Sequence, residues 1–352
     1  MTRRSAVDDL PPPPPETWRQ RLTYWQYRSV WAVAAGLPDR LARRLPERIG
    51  GAWYAAAPSK QRQQVARNLA RVAPHVTGQR RAALVRAAYV SYARYWLDSF
   101  RLHTRSGEEI SAAVRTEGLP YAEGLLADGA GGIFATGHLG SWDVRAYFAA
   151  ERGWVMTTVA EVVEPRRLFE RFVRLREDVG IEVIPLVRGG NMLDRLQARM
   201  RDAGAMATLL ADRDLGRSGP IVEFFGEPCR LPAGAVALAH RTGRPAVVGA
   251  FLTDGDDYLG VVRPPVRLDD LSLYDGVQLV AHELEALIRR APEQWHVFVP
   301  NWLADREPRH AVAAEWRRGG PWRRLAREAY QRRRRRSAQR RAGGQPASSA
   351  GE

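Results

Sequence analysis

A chain of 352 residues, 45% of them apolar, is long enough to bury one large core, which excludes a wholly disordered protein. Its formal charge of +15 favours an anionic partner, yet 14 Arg against 5 acids fall after position 304, so the excess belongs mostly to the tail; no nucleic-acid partner is expected. Cys229 is the only cysteine, which excludes an internal disulfide and suits a reducing compartment.

In chain order, residues 1–15 end in the run Pro11–Pro15 and read as a disordered, polyproline-like arm. No secretory leader is expected there. Residues 16–57 interleave Trp18, Tyr24, Trp25, Tyr27, Trp31, Trp53 and Tyr54 with Arg19, Arg21, Arg28, Arg40, Arg43 and Arg44. Such amphipathic aromatic helices fit either a membrane interface or a helix pair packed on the core. No run reaches about 18 uninterrupted apolar residues, so no spanning helix is expected. Residues 78–101 predict a helix whose stripe Leu84, Ala88, Tyr92, Trp96 and Phe100 belongs mostly to the core.

From Gly131 the pattern changes. Strands are predicted at 132–136, 154–160, 181–187, 205–211 and 245–251, with helices at 141–151, 165–179, 191–203 and 233–242 between them. Pro165 suits a first turn, Gly180 a C-terminal cap and Asn191 an N-cap. Alternation of this kind predicts an α/β fold, with a central, mostly parallel sheet covered by helices on both faces. Runs 221–225 and 258–263 read as further strands, antiparallel at the edge, and 276–290 as one more amphipathic helix. The tail from 306 carries Arg332–Arg336 and Arg340–Arg341 and reads as a helix that frays. The domain reading is therefore an arm (1–15), one domain (16–305, its first part 16–57 at the membrane interface) and an Arg-rich tail (306–352).

In open parallel sheets ligands bind beyond the carboxyl ends of the strands. There this chain puts His138, Glu161, Arg188, and then Asp212, Arg213 and Asp214. His138 and Asp143, in G-H-L-G-S-W-D, form the sharpest pair: across a loop and a first helical turn the carboxylate can hold one ring nitrogen while the other takes a proton. Helix capping by Asp143 and a structural His138 are the bland alternatives. The glycines are read as leaving the ring bare, and their N–H groups as donors to an oxyanion. With no G-x-S-x-G elbow and no metal motif, direct attack by a substrate hydroxyl is favoured and no metal or resident cofactor is expected. Arg176 lies on the apolar side of its helix, either snorkelling or held toward a buried anion.

G-H-L-G-S-W-D, R-Y-W-L-D-S-F-R (94–101), A-D-R-D-L-G-R-S-G (211–219), E-F-F-G-E-P (223–228), L-P-A-G-A-V-A-L-A-H-R-T-G-R-P (231–245) and P-E-Q-W-H-V-F (292–298) together resemble the bacterial lipid A late acyltransferase superfamily. The likeness spans residues 20–305. D-R-D-L followed by F-F-G-E looks most like the actinobacterial phosphatidylinositol mannoside acyltransferases, whereas lipid A enzymes usually carry Glu where Asp143 stands. The resemblance implies a glycerolipid acyltransferase-like fold at the cytoplasmic face of the cell membrane, as a peripheral protein on an anionic surface. It implies transfer of a long acyl group, commonly palmitoyl, from acyl-CoA to a mannose 6-hydroxyl of a phosphoinositide glycolipid. It further implies His138 as general base, Asp143 as its orienting partner, and Glu161, Arg176 and Ser218 as substrate-binding. Asp212 falls where these enzymes favour Glu as a second catalytic carboxylate. A lysophospholipid or lipid A-like acceptor, hydrolysis of the donor, and a non-catalytic membrane adaptor are the competing readings.

Overall fold

The structure, a computed structural model, describes residues 7, 10–13, 15–187, 191–202 and 204–342. Arg188 and the end of the tail lie outside the described residues. Four helices lead: α1 (Trp18–Gly36), α2 (Asp39–Ala56), α3 (Ser59–Val72) and α4 (Gly78–Arg101). The α/β part runs α5 (Gly107–Ala112), β1 (Val114–Glu117), α6 (Leu119–Leu126), β2 (Gly132–Thr136), α7 (Trp142–Ala150), β3 (Val155–Glu161), α8 (Arg166–Glu177), β4 (Ile181–Leu186), α9 (Met192–Arg199) and β5 (Ala205–Leu210). It continues through β6 (Ile221–Phe224), β7 (Glu227–Arg230), α10 (Gly234–Thr242), β8 (Ala246–Asp254), β9 (Asp257–Val262) and α11 (Leu273–Arg290). Three helices close the described chain: α12 (Leu303–Arg306), α13 (Ala311–Arg317) and α14 (Trp322–Ala342).

Seven strands form one sheet in the order β1-β9-β8-β2-β5-β3-β4. All neighbours are parallel except β8 and β9. Every residue of β2 is buried, as expected for a central strand covered on both faces. On one face Phe134, Met156, Met206 and Phe251 meet Ile110, Leu125, Val144 and Phe148 of α5, α6 and α7. On the other, Ile133, Ala135, Ala207 and Leu209 meet Leu196, Val236, Val277 and Leu284 of α9, α10 and α11.

The predicted mostly parallel sheet with flanking helices is what the chain forms. Three placements differ. The run 258–263 is antiparallel, but β1 covers it, so it is not the edge. The run 221–225 leaves the sheet and pairs with β7 in a separate hairpin. In the tail, Val312, Ala313, Trp322 and Ala326 are buried in the same core as the sheet, so packing continues past 305.

The helices ahead of the sheet brace one flank of it. Trp31 of α1 stacks on Phe100 of α4 at 4.9 Å, and both pack with Leu175 of α8. Within the predicted α4 stripe, Ala88 and Phe100 are buried, while Leu84, Tyr92 and Trp96 are only half-buried. The reason is positional: Tyr92 and Trp96 line a cleft at the sheet's carboxyl edge.

Candidate active site

Because β2, β5, β3 and β4 run parallel, the residues that follow them gather at one edge. The register sets Thr136 beside Leu210, so the loops after β2 and β5 leave the sheet side by side. His138 from the first loop and Asp212 from the second therefore meet, although 74 residues separate them.

Their contact is close. His138 Nδ1 lies 2.8 Å from Asp212 Oδ1, and the His138 backbone N–H donates to Asp212 Oδ2 at 2.8 Å. Trp295 Nε1 donates to the same Oδ2 at 2.8 Å, and Asn301 Nδ2 donates to the Asp212 carbonyl at 2.9 Å. Asp212 is completely buried. Burial alone raises a carboxyl pKa, but the charge of His138 and the hydrogen bonds from its ring, Trp295 and the backbone outweigh it and hold Asp212 below its ordinary value. An ionised Asp212 accepts Nδ1–H, which leaves Nε2 of His138 as the basic nitrogen. The His138 side chain is 30% exposed and lines a cleft of about 520 Å³.

Asp143 does not take the place the sequence reading gave it. Its Oδ2 accepts from Ser99 Oγ at 2.9 Å and Tyr95 Oη at 3.2 Å, and its Oδ1 from Arg176 Nε at 3.0 Å. The carboxylate that orients His138 is Asp212. Asp143 instead fixes Arg176, whose guanidinium also lies 4.3 Å from the Trp142 ring centre. Burial tends to lower the Arg176 pKa, but the Asp143 charge prevails and raises it. Arg176 was read as snorkelling or held toward a buried anion such as a donor phosphate; the anion it meets here is the protein's own Asp143.

The glycines also make room for close neighbours. A Cβ on Gly137 would stand 3.0 Å from Asp212 Oδ2, so the missing side chain lets the carboxylate approach. Gly140 has φ +68°, and a Cβ there would collide with the Phe251 carbonyl. The N–H groups of His138, Gly140 and Ser141 are engaged by Asp212, the Gln294 carbonyl and the Phe251 carbonyl, so they are not free to bind an oxyanion.

Glu161, Arg176 and Ser218 all line the cleft with His138. Glu161 is the exposed last residue of β3. Ser218 rides on the loop after β5, which Asp214 shapes by accepting the N–H groups of Gly216 and Gly219. Arg213 lines the same cleft and, among the described residues, has no ion pair or hydrogen bond. Among the described residues no group of three His, Cys, Asp or Glu is arranged to hold a metal ion.

Sequence reasoning passed over His296. It stacks on Tyr92 at 4.8 Å, approaches Ser91 Oγ with Nε2 at 2.9 Å, and donates its backbone N–H to the His138 carbonyl. Burial, followed by the nearby His138, pushes its pKa down to about 3, so it is neutral. The signal was present in the segment P-E-Q-W-H, where Gln294, Trp295 and His296 all brace the loop of His138.

The family model for bacterial lipid A biosynthesis acyltransferases matches residues 16–304. A phosphatidylinositol mannoside acyltransferase of Mycolicibacterium smegmatis is 33% identical over 283 residues, which cover 79% of this chain and 91% of that protein. A protein of the same name from Mycobacterium tuberculosis is 32% identical over 299 residues, 84% of this chain and 93% of its own. With the parallel sheet and the histidine–carboxylate pair at its carboxyl edge, these likenesses agree on one conclusion: the chain is an acyltransferase and belongs to the bacterial lipid A biosynthesis acyltransferase family.

Proposed function

We propose that the protein transfers a long acyl group, palmitoyl above all, from acyl-CoA to a mannose 6-hydroxyl of phosphatidylinositol mannoside. The observation that carries this reading is the His138–Asp212 pair at the cleft wall. The names of the two relatives support the acceptor. His138 Nε2 takes the proton from the mannose hydroxyl as its oxygen attacks the thioester carbonyl. The tetrahedral intermediate collapses, the C–S bond breaks, and the imidazolium returns the proton to the leaving thiolate. Asp212 stabilises the imidazolium while it lasts. Asp143 keeps Arg176 at the cleft, where Glu161 and Ser218 meet the substrates. Arg213, without a carboxylate partner among the described residues, faces their phosphates.

The reaction takes place at an anionic membrane surface. Trp18, Leu22, Trp25 and Val33 are exposed and fall on one stripe of α1. Arg19 and Arg28 lie against the Trp18 and Trp25 rings at 5.3 and 4.8 Å, a pairing that suits lipid head groups. Among the described residues no helix is long and apolar enough to cross a membrane, so the stripe is read as lying on the bilayer.

The test supplies radiolabelled palmitoyl-CoA with phosphatidylinositol mannoside, lysophospholipid or no acceptor, to wild type and His138→Ala. Label in acylated mannoside with wild type alone is the expected result. Transfer only to another acceptor discards the substrate, and free fatty acid in every lane discards the transferase reading.

A further inference from the structure

Helix α7 carries a second buried cation that the acyl-transfer cleft does not use. Arg145 is 6% exposed, and its Nε, Nη1 and Nη2 are all buried with no hydrogen-bond partner among the described residues. Its guanidinium lies 4.6 Å from the Phe134 ring centre, between α7 and the sheet. Together with Phe134, Phe148, Trp154, Met156 and Met206 it lines a cavity of about 30 Å³ that shares no lining residue with the cleft.

A buried guanidinium without hydrogen bonds is costly, because it gives up water, and the Phe134 ring offsets only part of that loss. Burial lowers its pKa to about 10, which leaves it charged at neutral pH. Asp143 is the charged residue that acts on it, but the Asp143 oxygens already bind Arg176, Ser99 and Tyr95. Two cations and one carboxylate therefore leave this part of the interior one positive charge in excess.

The occupant must accept hydrogen bonds and needs no acceptor for its own protons. A water does not meet that condition, because two to four polar partners hold a buried water and apolar side chains make up most of this wall. A monatomic anion meets it by pairing its charge with the guanidinium, whose Nε, Nη1 and Nη2 are the donors at this wall. The volume agrees, since about 10–15 Å³ admits one water and this cavity offers little more than twice that.

We propose that Arg145 holds one small monovalent anion, of chloride or bromide size, in the cavity between α7 and the sheet. The ion neutralises the excess charge and fastens α7 to β2, which leads into the loop of His138. It takes no part in acyl transfer.

The test uses the full chain. Crystals grown in sodium bromide are expected to give an anomalous peak within hydrogen-bond reach of the Arg145 guanidinium. The melting midpoint is expected to be about 2 °C or more higher in chloride or bromide than in gluconate at equal ionic strength. Arg145→Met should abolish both effects. A cavity without bromide, or equal midpoints for wild type in halide and gluconate, overturns the proposal. Both wild-type readouts stand even where the variant fails to fold.

Discussion

Replacing Asp212 by Asn exchanges one carboxylate oxygen for an amide NH2 at a position with three incoming N–H donors, each at 2.8 Å. Two of them, from the His138 backbone and Trp295, converge on Oδ2. The amide oxygen therefore settles there and keeps two bonds, because the reverse orientation would keep one and set NH2 against two donors. The amide NH2 then faces His138 Nδ1. That nitrogen must become the acceptor, and the ring proton moves to Nε2 on the cleft side, where the base has to be empty. Loss of the correct tautomer and of the compensating charge predicts a fall in kcat of about 10³- to 10⁴-fold, or about 4–5.5 kcal/mol of barrier. The packing is unchanged, so the melting midpoint should move little. Asp143→Asn makes the contrast. It breaks a buried ion pair with Arg176 whose partners are 2% and 12% exposed, at a cost of about 3 kcal/mol in stability. Its midpoint should drop by several degrees, while kcat falls far less than in Asp212→Asn. Steady-state transfer of labelled palmitoyl, beside thermal melts of both variants, measures all four numbers. Near-normal kcat in Asp212→Asn, with collapse in a well-folded Asp143→Asn, would refute the assignment.

Three further outcomes follow from other parts of the molecule. Arg213→Ala removes the cleft cation that has no ion pair among the described residues, so KM for acyl-CoA should rise about tenfold or more with kcat reduced much less; an unchanged KM removes Arg213 from substrate binding. His296 has its pKa depressed from 6.5 to about 3, so its contribution to stability is complete above pH 6.5 and falls as the pH drops toward 3. The slope in that window is at most about 1.4 kcal/mol per pH unit, and melts from pH 7.5 to 4.5 should show a shallower decline in His296→Gln. Trp18→Ser with Trp25→Ser should lower binding to anionic vesicles at least about tenfold in a flotation assay and leave the melting midpoint unchanged, since both side chains are exposed. Equal flotation of variant and wild type would take α1 out of membrane contact.

The parallel strands were readable because each is a short apolar run between amphipathic segments, and β2 is buried at every position. Strand β1, V-R-T-E, was not readable: three of its four residues are exposed and only pairing with β9 makes it a strand. The site divides along the same line. His138, Glu161, Arg176 and Ser218, expected at one site from strand ends, helix face and motif, all line one cleft. Asp212 was legible at the same sheet edge and as a second catalytic carboxylate, but not as the partner of His138. Spacing favours Asp143 because it is near in sequence, but the sheet places β5 next to β2, with β3 and β4 beyond it, so the loop bearing Asp212 arrives first. Nothing in the chain order β2, β3, β4, β5 announces that insertion.

The four bonds that hold Asp212 come from positions 138, 295 and 301, so the completed site draws on residues far apart in the chain. Contacts of such long range close large loops and form late in folding. A growing chain can already own the whole of β2, β3, β4 and β5 and still lack the Trp295 and Asn301 clamps. Its histidine then has no fixed tautomer. The tautomer of His138 therefore depends on the segment around 295–301 and not on the parallel strands alone.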